Sequence, residues 1–218
     1  NTYYFLVNNE GSFPKIYTVT VRRRPMYEVT FIVNGGTAVD KQVIEEGDFA
    51  TELTTTRDGY TFTGWNYDFA TPITQTTKIT ASWSANKDTK YTVNYYLQNL
   101  DDSYYTLHET VELKGETDTT ATAEIKEYTH FTYNASKSTI SGNINGDGSR
   151  ILSVYYTRNV YNLSINNTSA GTITNSGKYK YGSNAFESEM QCYLGYDFVG
   201  WYSGDELLST ETTYNFTV

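Results

Sequence analysis

The sequence is poor in several things. It has one cysteine in 218 residues, Cys192, so no intrachain disulfide can form and stability must come from packing. It has two histidines, His108 and His130, and neither lies near a nucleophile motif. The patterns G-x-S-x-G, H-E-x-x-H, C-x-x-C and the phosphate-binding P-loop are absent. Basic charge is scarce: 16 Lys and Arg stand against 25 Asp and Glu, a formal charge of -9. A nucleic-acid partner needs clustered cations to neutralise phosphates, so this balance argues against one. The run Arg22-Arg23-Arg24 is short and ends at Pro25, and reads as a solvated strand end. No stretch of about 18 apolar residues is present to span a membrane, and no signal peptide is visible. Long segments with apolar residues at helical spacing are also missing.

What is abundant is tyrosine, with 22 copies, together with threonine. Both suit pleated, half-buried surfaces and favour strands over helices. Tyr3-Tyr4-Phe5-Leu6-Val7 at the start and Tyr214-Asn215-Phe216-Thr217-Val218 at the end read as strands already under way. The expectation is a piece of something longer.

Internal similarity is the strongest signal. Gly59-Tyr60-Thr61-Phe62-Thr63-Gly64-Trp65 and Gly195-Tyr196-Asp197-Phe198-Val199-Gly200-Trp201 share the pattern G-Y-x-F-x-G-W. Tyr27 opens one unit and Tyr161 the other, with Gly47 and Gly182 as matching turn positions. The tyrosine-to-glycine intervals are 20 and 21 residues, and the intervals to the next landmark glycine are 12 and 13. Between the copies, YTVNYYL places Tyr91, Val93, Tyr95 and Leu97 on one face, and ILSVYYTR closes the segment. The signature is missing there, so this unit is a cousin of the other two.

Each unit reads as strand, strand, short helix or turn, strand, strand. In the first, Tyr27, Val29, Phe31 and Val33 alternate inward, and Asn34-Gly35-Gly36 turns the chain. A second strand is expected near Ala38–Glu45, a helical turn near Phe49–Thr56, a third strand at Tyr60 and Phe62, and a fourth over Lys78–Trp83. In the middle unit Thr119–Lys126 is the best helix candidate. Trp65 falls on the opposite parity from Tyr60 and Phe62. Either a bulge at Gly64 rotates it back to the core, or it covers the other face. Gly200 poses the same choice for Trp201. The linkers Arg24–Met26, Ser84–Lys90 and Thr157–Val160 are short, which predicts a semi-rigid string.

These residues are familiar. YEVTFIVNGGTAVDKQVIEEGD, GYTFTGWNYD and ITASW, over 27–83, resemble the Listeria–Bacteroides repeat, a relative of the internalin B-repeat. Residues 161–218 resemble its divergent form. YTVNYYLQNLDD, SGNINGDGS and SVYYTR, over 91–157, resemble the mucin-binding-protein module of bacterial adhesins, and Lys15–Arg23 resembles the last strand of a cadherin-like sandwich. The resemblance implies a mainly β chain, α+β at most, of tandem small β-grasp-like modules. Each would be a mixed or antiparallel sheet with at most one short helix. The divisions would be 1–25, the C-terminal strands of a preceding sandwich; 26–84; 90–157; and 160–218. It implies an extracellular, non-enzymatic monomer at the bacterial cell surface or wall, acting in display or adhesion. No cofactor, nucleic acid or membrane insertion is implied, and the partner would be a host glycoprotein, a mucin or another surface protein.

Two sites merit weighing. Tyr104-Tyr105 follows Leu100-Asp101-Asp102-Ser103 at an expected hairpin tip, where one ring should point outward and could contact a sugar. Asn143-Ile144-Asn145-Gly146-Asp147-Gly148 resembles the start of a calcium loop. Its twelfth position is Val154 where a bidentate Glu belongs, so a Gly-rich hairpin turn is the better reading. Adjacent carboxylates such as Glu45-Glu46 and Asp101-Asp102 point to opposite faces of a strand and make poor acid–base pairs.

Overall fold

The computed structural model describes residues 2–7, 11, 13, 15–164, 169–173, 177–183 and 186–216. Thr217 and Val218, expected in the last strand, lie outside these residues, as do parts of the 1–25 and 160–218 segments. The chain separates into two compact units, Asn1–Asn86 and Lys87–Val218. Among the described residues none is helical. A mainly β chain of small sheets is what the tyrosine and threonine content predicts.

In the first unit, β1 (Thr2–Val7) and β2 (Lys15–Thr20) form an antiparallel hairpin with Tyr3 opposite Val19 and Leu6 opposite Ile16. Four further strands make one sheet: β3 (Met26–Ile32), β4 (Gln42–Glu45), β5 (Tyr60–Trp65) and β6 (Thr77–Ala85). Their order is β4-β3-β6-β5. The outer pairs are antiparallel, and the central pair, first strand with last, is parallel, with Phe31 opposite Ile79. The alternation read from the sequence is what buries one face. Val29, Ile79 and Ile73 are fully buried and Phe31 nearly so, with Tyr27, Val39, Ile44, Leu53 and Trp65 packed around them. Each such Val or Ile contributes roughly 1.5–3 kcal/mol relative to exposure.

The tryptophan parity resolves in favour of a bulge. Phe62 pairs with Trp83 and Gly64 with Ser82, so the register slips by one residue at Thr63. Gly64 takes φ +123°, a conformation side chains resist, and nothing would touch a Cβ there. The slip returns Trp65 to the core face, where its ring meets Phe31 edge-on at 5.0 Å and its Nε1–H donates to the Leu53 carbonyl at 2.7 Å.

Two helical expectations fail. Residues 49–56 run extended beside the sheet: Phe49 bridges Pro72, Gln42 exchanges two hydrogen bonds with the Thr51 backbone, and Thr55 Oγ1 donates to Thr37 O. In the middle unit, Thr120–Thr122 is a strand. The reason is a period of two hidden in TTATAEIK: Ala121 and Ala123 are buried while Thr120 and Thr122 face out. Branched threonines lose side-chain freedom in a helix and suit a strand. The second strand of the first unit is also shorter than Ala38–Glu45.

The second unit opens with the same topology. Its strands are β7 (Thr89–Gln98), β8 (Tyr105–Gly115), β9 (Thr120–Thr122), β10 (Phe131–Tyr133), β11 (Ser141–Asn143) and β12 (Ile151–Arg158). The sheet order is β10-β12-β7-β8, again with first strand parallel to last, and β9 pairs β11 beside it. Val93, Leu152 and Val154 are fully buried, with Tyr95 and Tyr156 close behind, and Tyr91 and Leu97 pack against them as expected. The middle unit is therefore a cousin in fold as well as in sequence.

The third segment departs from the first copy. It comprises β13 (Val160–Leu163), β14 (Gly171–Ile173), β15 (Gly177–Lys180), β16 (Phe186–Cys192), β17 (Trp201–Ser203), β18 (Glu206–Ser209) and β19 (Thr213–Phe216). β13 pairs β15 just as β3 pairs β4, but β19 pairs antiparallel with β16. The extra strand falls on FESEMQC, where Ser188 is buried and Glu189 exposed, while FATELTTT in the first copy forms no strand. Trp201 is buried as expected and its Nε1–H donates to Glu211 O at 2.9 Å. The register slip lies between Trp201 and Tyr202, one position beyond the glycine.

Candidate functional site

The β7–β8 connection carries the expected tyrosine pair. The tip is held from within: Asn99 N–H donates to Tyr104 O, Tyr104 N–H to Asp102 Oδ1 at 2.7 Å, and Asn99 Nδ2 to Asp102 Oδ2. This is the side-chain-to-backbone bonding that lets Asx residues build turns. Tyr104 is 73% exposed. Tyr105 faces the other way: it is half-buried, its hydroxyl lies 3.2 Å from Thr157 Oγ1, and it accepts from Asn134 Nδ2 at 3.2 Å.

Tyr105 belongs to a group of rings on the outer face of the sheet. Its ring is perpendicular to Tyr155 at 5.2 Å, Tyr155 stacks on Tyr96 at 4.7 Å, and Lys137 Nζ lies 5.0 Å from the Tyr105 centroid. Asn94, Thr110, Asn134 and Thr157 supply neutral hydrogen-bonding groups beside them. Sequence reading missed Tyr96 and Tyr155. Parity could have found them, because each is the sequence neighbour of a tyrosine, Tyr95 or Tyr156, that the core claims.

On the opposite face, Glu109 gathers two donors. Lys126 Nζ reaches Oε1 at 2.6 Å and Tyr128 O–H reaches Oε2 at 2.7 Å. The Lys126 hydrogen bond, then that of Tyr128, holds the Glu109 carboxyl below its ordinary value of 4.5. Glu109 in turn raises the Lys126 ammonium, and burial pushes the Tyr128 phenol above its usual range. Lys126 also lies 4.6 Å from the Tyr95 centroid, and His108 packs perpendicular to Tyr128 at 5.1 Å. This network ties the extended segment before β10 to strand β8.

The remaining candidates occupy structural places. His130 Nδ1 lies 2.9 Å from the Tyr161 hydroxyl, and the ring stacks on Tyr181. In the Asn143–Gly148 loop, Thr120 Oγ1 donates to Asn143 Oδ1 at 3.0 Å and Arg150 Nη2 to Asn145 Oδ1 at 3.4 Å, so the side-chain oxygens at the first and third positions of the loop already accept hydrogen bonds. Asp147 accepts from Ser149, which lowers its carboxyl, and the loop turns the chain into β12. Among the described residues no group of three or more His, Cys, Asp and Glu is placed to hold a metal ion. Arg24 pairs with Glu45 at 3.3 Å and Asp48 at 3.4 Å, and Cys192 sits half-buried on β16.

Residues 27–97 match the Listeria-Bacteroides repeat domain, and residues 161–218 match the divergent InlB B-repeat domain. The first match continues through Leu97 into β7, beyond the 27–83 segment. No curated protein and no solved structure matches the chain.

The Glu109 network predicts a pH dependence. A carboxyl whose folded value lies below its unfolded value stabilises the fold at neutral pH, and that stabilisation is lost as pH falls through and below about 4.5. Urea unfolding of the chain at pH 7 and pH 3, followed by circular dichroism, should show a smaller acid-induced drop in midpoint for Glu109→Gln than for the unaltered chain. Equal drops would assign the acid sensitivity to other carboxyls.

Proposed function

We propose that this chain, which carries repeats of the Listeria-Bacteroides and divergent InlB B-repeat families at 27–97 and 161–218, is a non-catalytic, extracellular segment of a bacterial surface protein that serves as a semi-rigid stalk for display or adhesion. The observation that supports a stalk is the parallel central pair. Because β3 and β6 run side by side in one direction, the chain enters that sheet at one end and leaves at the other, roughly 30 Å away. The same holds for β7 and β12. Tension across such a module loads the central hydrogen bonds in shear, all at once, whereas a hairpin unzips one bond at a time.

Stretching the full chain in an optical trap tests this. Each four-stranded sheet should give way in a discrete event, the first releasing roughly 17 nm, the extended length of Met26–Ala85 less its folded span. Smooth extension without discrete events would contradict the stalk reading.

A second reading has its own support in the 73% exposure of Tyr104 at the hairpin tip, next to the Tyr96–Tyr155–Tyr105 group. Under it, the 90–157 module grips a host glycan, mucin glycoprotein or other surface protein through Tyr104 and Tyr105. A glycan array probed with the intact chain and with Tyr104→Ala decides it. Retained ligands that are lost in the variant support direct binding; an array that is silent, or unchanged by the variant, removes Tyr104 from any binding role.

A further inference from the structure

Two arginines stand at the same distance ahead of the two family-matched segments. Arg24 lies three residues before Tyr27, and Arg158 three before Tyr161. In each segment the hairpin that follows folds back to the same spot. Glu46 N–H donates to Pro25 O at 2.8 Å, and Tyr181 N–H donates to Asn159 O at 2.9 Å. The next residue is a glycine in the left-handed region, Gly47 at φ +88° and Gly182 at φ +76°. That turn presents the preceding carbonyl to the arginine: Arg24 Nη1 donates to Glu46 O at 3.0 Å, and Arg158 Nη1 to Tyr181 O at 3.0 Å. In both cases the guanidinium lies over the glycine, with Nη1 3.8 Å and 3.3 Å from where a Cβ would be.

At the second copy this clasp reaches across two modules. Arg158 is the last residue of β12, the strand that closes the 90–157 module. Its Nε donates to Gln98 O at 3.2 Å and its backbone N–H to Gln98 Oε1 at 3.1 Å, while Nη1 holds the turn after β15. The planar fork of arginine serves the two carbonyls from two separate nitrogens, Nε and Nη1, held at a fixed angle, whereas lysine has a single nitrogen. Lys180, the residue before the clasped turn, answers in the opposite direction, with Nζ donating to Leu100 O at 3.2 Å and Asp102 O at 3.0 Å in the β7–β8 tip. His130 closes the group by stacking on Tyr181 at 3.8 Å. Asn159 alone separates β12 from β13, and Thr132 Oγ1 holds its side chain at 2.7 Å.

We propose that Arg158 is a joint residue that fixes the 90–157 and 160–218 modules into one rigid body, with Lys180 as its counterpart from the other side. The pattern is readable in sequence as Arg three positions before the opening tyrosine of a repeat, combined with a glycine one residue past the clasped carbonyl. Its purpose rests on the stalk reading; its geometry does not.

Nitrogen-15 relaxation of the full chain tests the joint. The unaltered chain should show one rotational correlation time for both modules. Arg158→Ala should split it, with the 160–218 module tumbling faster while Trp201 fluorescence and the amide shifts of β13–β19 stay native. Arg158→Lys should not restore the shared time, and Lys180→Ala should loosen the joint without touching the Gly182 turn. If Arg158→Ala unfolds the last module, Lys180→Ala and Arg158→Lys carry the test alone. A shared time that survives these variants overturns the assignment to Arg158 and leaves the stalk intact. Two different times in the unaltered chain overturn both.

Discussion

In both four-stranded sheets the strand that opens the module lies beside the strand that closes it, and the two run in the same direction. A parallel pair cannot be joined by a tight turn, so everything between must cross over. The crossover is where each module finds its second layer. In the first it is the 46–59 segment, which brings Ala50 and Leu53 to the core; in the second it is the β9 and β11 region, which brings Ala121, Ala123 and Ile144. Remove the pairing of first and last strand, and the crossover has no floor to pack on. A module this small buries too little surface to survive that loss.

The same constraint explains the use of tyrosine. The central strands are covered on one face only, so adjacent aromatic residues divide between faces. Tyr95 and Tyr156 enter the core while Tyr96 and Tyr155 stack on the outside. Tyr105 turns to the sheet and Tyr104 to solvent. A ring with a hydroxyl tolerates both places, since its body can be buried and its oxygen can bond or be wetted. The doublets therefore serve core and surface with one residue type, and any adhesive role would fall on the outward members.

Much of this was legible in the chain. Period-two alternation located β3 and β7, and the odd parity of Trp65 pointed to the bulge beside Gly64. What stayed hidden was non-local. Nothing in Thr119–Lys126 announces that Ser141–Asn143, about twenty residues later, will pair with it, and that pairing joins the period of two in TTATAEIK to make a strand of an expected helix. The second copy shares the G-Y-x-F-x-G-W landmarks with the first, yet FESEMQC offers a strand where the first copy has none, and β19 pairs with it. At the site, sequence reading found the tyrosine doublet at the tip. It could not foresee which hydroxyl Thr157 and Asn134 would engage, because those partners come from other strands. The arginine clasp was likewise invisible as charge, since Arg24 reads as the end of a basic run and Arg158 as an ordinary strand end.

The central claim is that each four-stranded module is held by its parallel strand pair. Amide hydrogen exchange on the full chain addresses it most directly, because exchange rates rank local opening energies strand by strand. The slowest amides should lie in β3 with β6 and in β7 with β12, each pair opening together, while the outer strands β4, β5, β8 and β10 exchange sooner. Slowest exchange in the antiparallel β7–β8 hairpin with β12 already open, or in β5 with β3 open, would contradict it.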